Sequence, residues 1–344
     1  MFMDQPKVTL ANIEDQVGDW LREQSSSANE DLIAEMIRTI MKLAGDGASR
    51  GDLKILNRTL KELRHAFNVF ARYSAVRKVS IFGSTHVKEK DPYYHLAKQL
   101  ADRLAQEALM VITGAGPGIM QAGHEGAGRD NSFGVNIRLP AAQEANPFIK
   151  DDGKLMSFHF FFTRKLMFVK EADAVVIFPG GFGTHDELTE SLTLAQTGKS
   201  QIVPIVLMDL PDGRYWKQWE WFVREAMLSR GYISGREFSF FKIMHDVESA
   251  IAEIKDFYRN FHSYRFVKKN LVIRLNHSPA PSMIDKLNQT FADILDEGKI
   301  AQTEPSPEEA DDPDILHLPR LSVPFNRKDF ARLRELIDAI NRES

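Results

Sequence analysis

The spacing of apolar and polar positions divides the chain into three stretches. In residues 1–75 apolar side chains recur every three or four positions. Leu32, Ile33, Met36, Ile37, Ile40 and Leu43 make one stripe, closed by Gly45 and Gly47, and Leu53, Leu56, Leu60, Leu63 and Phe67 make a second. That period belongs to amphipathic helices. No two-residue alternation breaks it, so a helical N-terminal arm is expected.

From residue 76 to about 262 short apolar runs alternate with helical stripes. Strands are predicted at 78–82, 109–113, 133–139, 174–178 and 202–207, with another near 240. A helix is predicted from Tyr94 to Glu107, where Leu96, Leu100 and Leu104 fall in phase. This rhythm specifies a Rossmann-like, doubly wound α/β fold with a mostly parallel sheet. The third stretch, 263–344, predicts a strand at 271–275, a helix at 283–295, an acidic loop at 304–314, an extended run at 316–325 and a helix at 327–341. It reads as a small α/β C-terminal appendage, with the basic residues of 264–274 on a solvated face.

Three predicted strands end in glycine: at Gly83-Ser84, at Gly114-Ala115-Gly116-Pro117-Gly118, and at Gly180-Gly181-Phe182-Gly183-Thr184. In such sheets ligands bind beyond the C-terminal strand ends. The third loop is the most informative. It joins an apolar strand to a helix marked by Leu188, Leu192 and Ala195. Glycines let backbone approach a ligand, and a helix start offers unpaired N–H groups, which together suit a phosphate. Glu187 then falls on the first helical turn. Thr184 and Glu187 are also spaced as a capping box, so a purely structural reading stands beside the functional one. The loop at 114 is a poor dinucleotide fingerprint. Its third glycine comes one place early, and the acid expected about twenty residues on is missing. A nest for one phosphate or a ribose suits it better.

Before the third loop runs Phe160-Phe161-Phe162-Thr163-Arg164-Lys165. One reading is a core strand entering a helix whose cations face water. The other is an arginine on a rigid aromatic base, reaching a phosphate, a ribose or Glu187.

Composition narrows the options. The chain of 344 residues is 43% hydrophobic and 27% charged, with a net charge of −4 and no cysteine. No global field attracts nucleic acid, and disulfides and thiolate chemistry are excluded. No apolar run reaches the roughly 18 residues of a membrane span. The N-terminus lacks a basic start and an apolar signal core, so a cytoplasmic protein without nucleic-acid or membrane partners is expected.

Arg164-Lys165, followed by Pro179-Gly180-Gly181-Phe182-Gly183-Thr184-His185-Asp186-Glu187, closely resembles the LOG (Lonely Guy) family. Its members are nucleoside 5'-monophosphate phosphoribohydrolases, known for releasing cytokinin bases and formerly labelled lysine decarboxylases. The resemblance covers roughly residues 76–262. It implies a Rossmann-like fold in homodimers or larger homo-oligomers, a catalytic pair at Arg164 and Glu187, and a phosphate loop at Gly180, Gly181, Gly183 and Thr184. Gly83, Ser84, Gly114, Gly116, Gly118 and Lys165 complete the expected phosphate and ribose site. The second loop departs from the family's Gly-Gly-Gly and Gly-Leu-Met-Gly pattern, and Phe161-Phe162-Thr163 stands where Met-His-x is usual.

The expected reaction is hydrolysis of the N-glycosidic bond of AMP or a cytokinin-type monophosphate, passing through an oxocarbenium-like centre at C1'. Glu187 would stabilise that centre and activate water; Asp186 or water would protonate the base. No metal and no cofactor are expected. His159 and His185 are isolated histidines. A nucleotide sensor without turnover is the alternative, against which the presence of both Arg164 and Glu187 argues. A decarboxylase would need pyridoxal phosphate on a lysine. Lys165 and Lys199 are nearest the motifs, and nothing marks either.

Overall fold

The structure is a computed structural model that describes Asp19, residues 29–140 and residues 144–342. Much of the predicted arm before residue 29 thus lies outside the described residues. Two compact units divide the chain, Met1–Lys61 and Glu62–Ser344.

Among its described residues the first unit is helical, and its boundary falls at Lys61 rather than at 75. It contains α1 (Glu30–Gly45) and the start of α2 (Arg50–Ala71). Both apolar stripes lie on these helices, yet Leu32, Met36, Ile40, Leu53, Leu56 and Leu60 are exposed.

The second unit takes in the rest of α2, which buries Glu62, Ala66, Val69 and Phe70. It is built on a seven-stranded sheet. The strands are β1 (Lys78–Phe82), β2 (Met110–Thr113), β3 (Ser132–Ile137), β4 (Leu155–Phe158), β5 (Ala174–Ile177), β6 (Ile205–Met208) and β7 (Phe241–Met244). Their spatial order is β4-β3-β2-β1-β5-β6-β7, and every pairing is parallel. Side chains alternate between faces with period two. On β5, Ala174 and Val176 join the core under α3 (Pro92–Gln106), α4 (Ile119–Ala127) and α8 (Val247–Phe257). Val175 and Ile177 join the opposite core, under α2, α5 (Phe161–Glu171), α6 (Phe182–Thr197) and α7 (Tyr215–Val223). Burial on both faces explains why these strands read as continuous apolar runs. The order of strands reverses between β1 and β5, which puts the topological switch point at Gly83 and Gly180.

A second, four-stranded antiparallel sheet has the order β10-β11-β9-β8. It comprises β8 (Phe261–Val267), β9 (Asn270–Leu275), β10 (Ala301–Thr303) and β11 (Arg320–Val323), covered by α9 (Pro281–Thr290) and α10 (Phe330–Arg342). Its core includes Ala195 and Ile202 from the first sheet's layer. The solvated face expected for 264–274 is corrected at Arg274. That side chain is 4% exposed and holds the buried Glu309 at 2.9 Å. Glu309 also faces Arg320 at 3.3 Å. The acidic loop is thus anchored by one buried carboxylate, which leaves no trace in hydropathy.

The loop after β2 is held from below by His124 on α4. Its Nε2 lies 3.0 Å from both Thr113 Oγ1 and the Phe133 carbonyl, and Asn146 bridges its Nδ1 to the Gly116 carbonyl. Burial drives the His124 pKa down from 6.5 to about 4, only partly offset by the Phe133 carbonyl. Between those values the unfolded chain binds a proton that the native one refuses. Stability is therefore full above about pH 6.5 and falls as pH drops towards 4, by up to about 3 kcal/mol. Denaturant midpoints of wild type and His124→Gln across this window should show a flatter dependence in the variant. Identical slopes would remove His124 from the account.

Candidate active site

The β1–β5 pairing continues into the loops. Phe178 N–H donates to the Phe82 carbonyl at 2.9 Å, and Ser84 N–H donates to the Pro179 carbonyl at 3.1 Å. Two strand ends are so joined side by side. A Cβ on Gly180 would land on Thr184 Oγ1 and 3.0 Å from Ser84 N, so the approach requires glycine there. Gly118 has φ +70°, and a Cβ on it would strike the Ser84 carbonyl. Gly181 and Gly183, in contrast, face open space.

The helix α6 starts at Phe182, with Gly181 at its N-cap and no side-chain cap bond. This corrects two expectations. Thr184 and Glu187 form no capping box, because both lie inside the helix. Glu187 is on the second turn, one turn deeper than expected, and its side chain faces Lys165 Nζ at 3.4 Å.

A cleft of about 270 Å³ opens at the switch point. Gly83, Ser84, Arg164, Gly181, Gly183, Thr184 and Glu187 line it, together with Met120, Phe161 and His86. Glu187 is 8% exposed. Burial raises its pKa above the ordinary glutamate value, opposed by the charges of Lys165 and Arg164. Arg164 fixes its Nε on the Val135 carbonyl at 2.9 Å. Burial lowers its pKa while the Glu187 charge pushes back; an arginine stays protonated regardless.

Lys165 is off the cleft wall. Its Nζ lies 2.8 Å from Glu190, 3.0 Å from Asp186 and 3.4 Å from Glu187. Burial works to lower its pKa, but the bond to Glu190 and the charge of Glu187 outweigh it and the net direction is up. Its three partners are all carboxylates of α6. Gly114, Gly116, Gly118 and Gly180 are likewise not on the wall, and they act as supports. A Cβ on Gly114 would sit on the Arg164 guanidinium and 2.6 Å from Met120 Sδ. That glycine makes room for the arginine.

The aromatic run before Arg164 is not buried. Phe161 and Phe162 are 52% and 55% exposed, since Phe161 opens α5 rather than ending a strand. What seats the arginine is Glu62, from α2. It accepts from His159 N at 2.9 Å and Thr163 Oγ1 at 2.8 Å. Tyr215 bonds the Gly180 carbonyl of the glycine loop, and His185 of α6 bonds the Tyr215 hydroxyl. Sequence reasoning missed Glu62 and Tyr215. Their partners lie 97 and 35 positions away, and only the fold joins them.

A larger cavity, about 590 Å³, lies at the opposite, N-terminal edge of the sheet, beside Arg77, Asp173 and Lys199. It contains neither glycine loop nor Glu187, so size is a poor guide and convergence of reactive groups is the better one. Among the described residues no group of three or more His, Asp or Glu side chains is placed to hold a metal ion.

A parallel sheet whose switch point carries a glycine-rich helix start, a desolvated carboxylate and an arginine defines a Rossmann-type α/β protein with a candidate anion site at the strand ends. The family model described as "Possible lysine decarboxylase" matches residues 117–254. A cytokinin riboside 5'-monophosphate phosphoribohydrolase of Arabidopsis thaliana is 30% identical over 166 residues, covering 47% of this chain and 73% of that protein. The chain belongs to this LOG family. A pyrimidine/purine nucleotide 5'-monophosphate nucleosidase of Escherichia coli is 30% identical over 146 residues. That match covers 39% of this chain and only 31% of the bacterial protein. A solved molybdenum cofactor binding protein of Rippkaea orientalis overlays 52% of this chain and 96% of its own at 19% identity, with a TM-score of 0.36. Likeness at that level carries no functional information.

The glycines separate into two classes that denaturation can tell apart. Gly118→Ala should cost about 1–3 kcal/mol or more, from positive φ and the clash with Ser84. Gly183→Ala should be neutral or stabilising by up to about 1 kcal/mol, since it meets nothing and lies in a helix. Equal losses would contradict the assignment.

Proposed function

We propose that the chain hydrolyses the N-glycosidic bond of nucleoside 5'-monophosphates of the AMP type, releasing free base and ribose 5-phosphate. The observation that carries this reading is one cleft holding the Gly181–Thr184 helix start, Arg164 and the desolvated Glu187. The relatives named as a nucleotide 5'-monophosphate nucleosidase and a cytokinin riboside 5'-monophosphate phosphoribohydrolase support it.

The phosphate is anchored at the start of α6, where backbone N–H groups and the helix dipole favour an anion. Anchoring sets C1' beside Glu187, one turn along the same helix. The C1'–N bond breaks with its electron pair going to the base, and positive charge develops at C1' and the ring oxygen. The carboxylate stabilises that charge and takes a proton from the water that adds to C1'. The base gains its proton from water or from Asp186, which is exposed beside Lys165. Arg164, braced on the Val135 carbonyl, presents its remaining N–H groups to ribose hydroxyls and Glu187.

Incubation with AMP, followed by chromatography, should show adenine and ribose 5-phosphate, with adenosine cleaved far more slowly. Glu187→Gln should bind AMP near normally and lose turnover by at least about 10²-fold. Base release at the wild-type rate by this variant would make Glu187 structural.

The carboxylate form of Glu187 is the active one, so kcat/KM falls as pH drops through its pKa. Lys165 is the leading charge holding that pKa down. Lys165→Met should therefore move the acid limb of the profile to higher pH. Ionisation of the substrate phosphate is common to both enzymes, so the difference reports the protein. An acid limb that stays in place would show that Lys165 does not tune Glu187.

A further inference from the structure

One contact at the phosphate-type loop remains outside this scheme. Tyr215, the first residue of α7, donates its hydroxyl hydrogen to the Gly180 carbonyl. His185 Nε2 lies 2.7 Å from the same phenol oxygen. Because the phenol gives its own proton to Gly180, the imidazole N–H donates to the phenol. The ring of Tyr215 stands edge-on to Trp216 at 4.8 Å, and His185 stands against the same indole at 5.9 Å. Trp216 is fully buried and bonds the Met208 carbonyl through its Nε1 at 2.9 Å. The phenol is therefore tied to the rigid end of β6.

The peptide joining Gly180 to Gly181 is planar and trans, so its C=O and N–H point in opposite directions. Tyr215 is not on the wall of the cleft and Gly181 is. With the carbonyl held towards Tyr215, the Gly181 N–H points away from that phenol, and Gly181 itself lines the cleft. Among the described residues no other hydrogen bond holds this peptide. Glycine lies on both sides of it, and glycine backbones rotate with little steric cost. Turned over, the peptide would set a carbonyl oxygen where a donor belongs, facing an anion.

We propose that Tyr215, braced by His185, is a positioning residue that locks the Gly180–Gly181 peptide with its N–H facing the substrate phosphate. The inference rests on the reading of the cleft as a monophosphate site. It adds a residue from outside both family motifs, and it gives His185 a task.

Tyr215→Phe tests it, since it keeps the ring against Trp216 and removes only the hydroxyl. KM for AMP should rise by roughly tenfold, the scale of one hydrogen bond to a charged group, with kcat little changed. The inhibition constant of ribose 5-phosphate should weaken by the same factor, and that of adenosine should not move. His185→Ala should produce a smaller rise in the same direction, and His185→Gln, which retains a donor, should restore part of it. A general structural defect would instead lower kcat and the unfolding temperature together. Wild-type KM and inhibition constants in Tyr215→Phe overturn the proposal, and so does a loss confined to kcat. Calorimetric titration of wild type and Tyr215→Phe with AMP separates the two readings. If wild type binds AMP without cleaving it, the hydrolase reading fails, and the lock still stands or falls on a weaker affinity in the variant. Equal affinities overturn it.

Discussion

The parallel pairing of β1 with β5 is the constraint on which the site depends. The two strands are not consecutive in sequence, and the helices that follow them, α3 and α6, lie on opposite faces of the sheet. Their shared edge is the point where the winding reverses, so no helix covers the strand ends there. The hydrogen bonds run past the strands into Phe178, Pro179 and Ser84. This extension brings two loops into register, and a side chain at Gly180 is excluded by Thr184 first and by the close approach of Ser84 second. The cleft is a by-product of topology, and the residues on it are what make it chemical.

The electrostatics of the cleft are set one layer back. Glu187 would be a poor carboxylate if burial acted alone, because desolvation favours its neutral form. Lys165 and Arg164 oppose that tendency. Lys165 is in turn shared among three carboxylates, so its charge is spread over a surface of α6. Arg164 is handled differently. It is braced on a backbone carbonyl of β3, is accommodated by the absent side chain of Gly114, and rides on a helix start that Glu62 secures. Two adjacent residues of one motif thus point to different duties.

Much of this organisation was legible in the sequence. The βα rhythm and the strand-ending glycines describe the sheet and its switch point, because buried parallel strands have a strong apolar signature. Strand β4 escaped notice. It is an edge strand with one exposed residue, Ser157, and lies beside the aromatic run that drew attention. Strand β8 was hidden among the cations that suggested a solvated surface. Arg164 and Glu187 were visible through motif spacing, whereas their supports were not. Glu62 and Tyr215 are unremarkable letters in helices, and their roles arise from contacts far apart in the chain. The capping-box reading of Thr184 and Glu187 failed because the helix begins at Phe182, two residues before Thr184, which pattern alone does not resolve.

The crowding of carboxylates around Lys165 has a consequence for how a ligand would arrive. Asp186, Glu187 and Glu190 outnumber the two cations near them, while the other end of the same cleft is a helix start rich in backbone donors. The two ends of the cleft thus differ in what they offer a charged group: carboxylates at one, backbone donors at the other. A ligand with a dianion at one end and a neutral ring at the other would be turned by that gradient before any specific contact forms. On the proposed reading, the cleft acts as a compass as well as a clamp. On that reading a dianion turned the wrong way meets the carboxylates and is repelled, and a small neutral sugar feels little of this gradient.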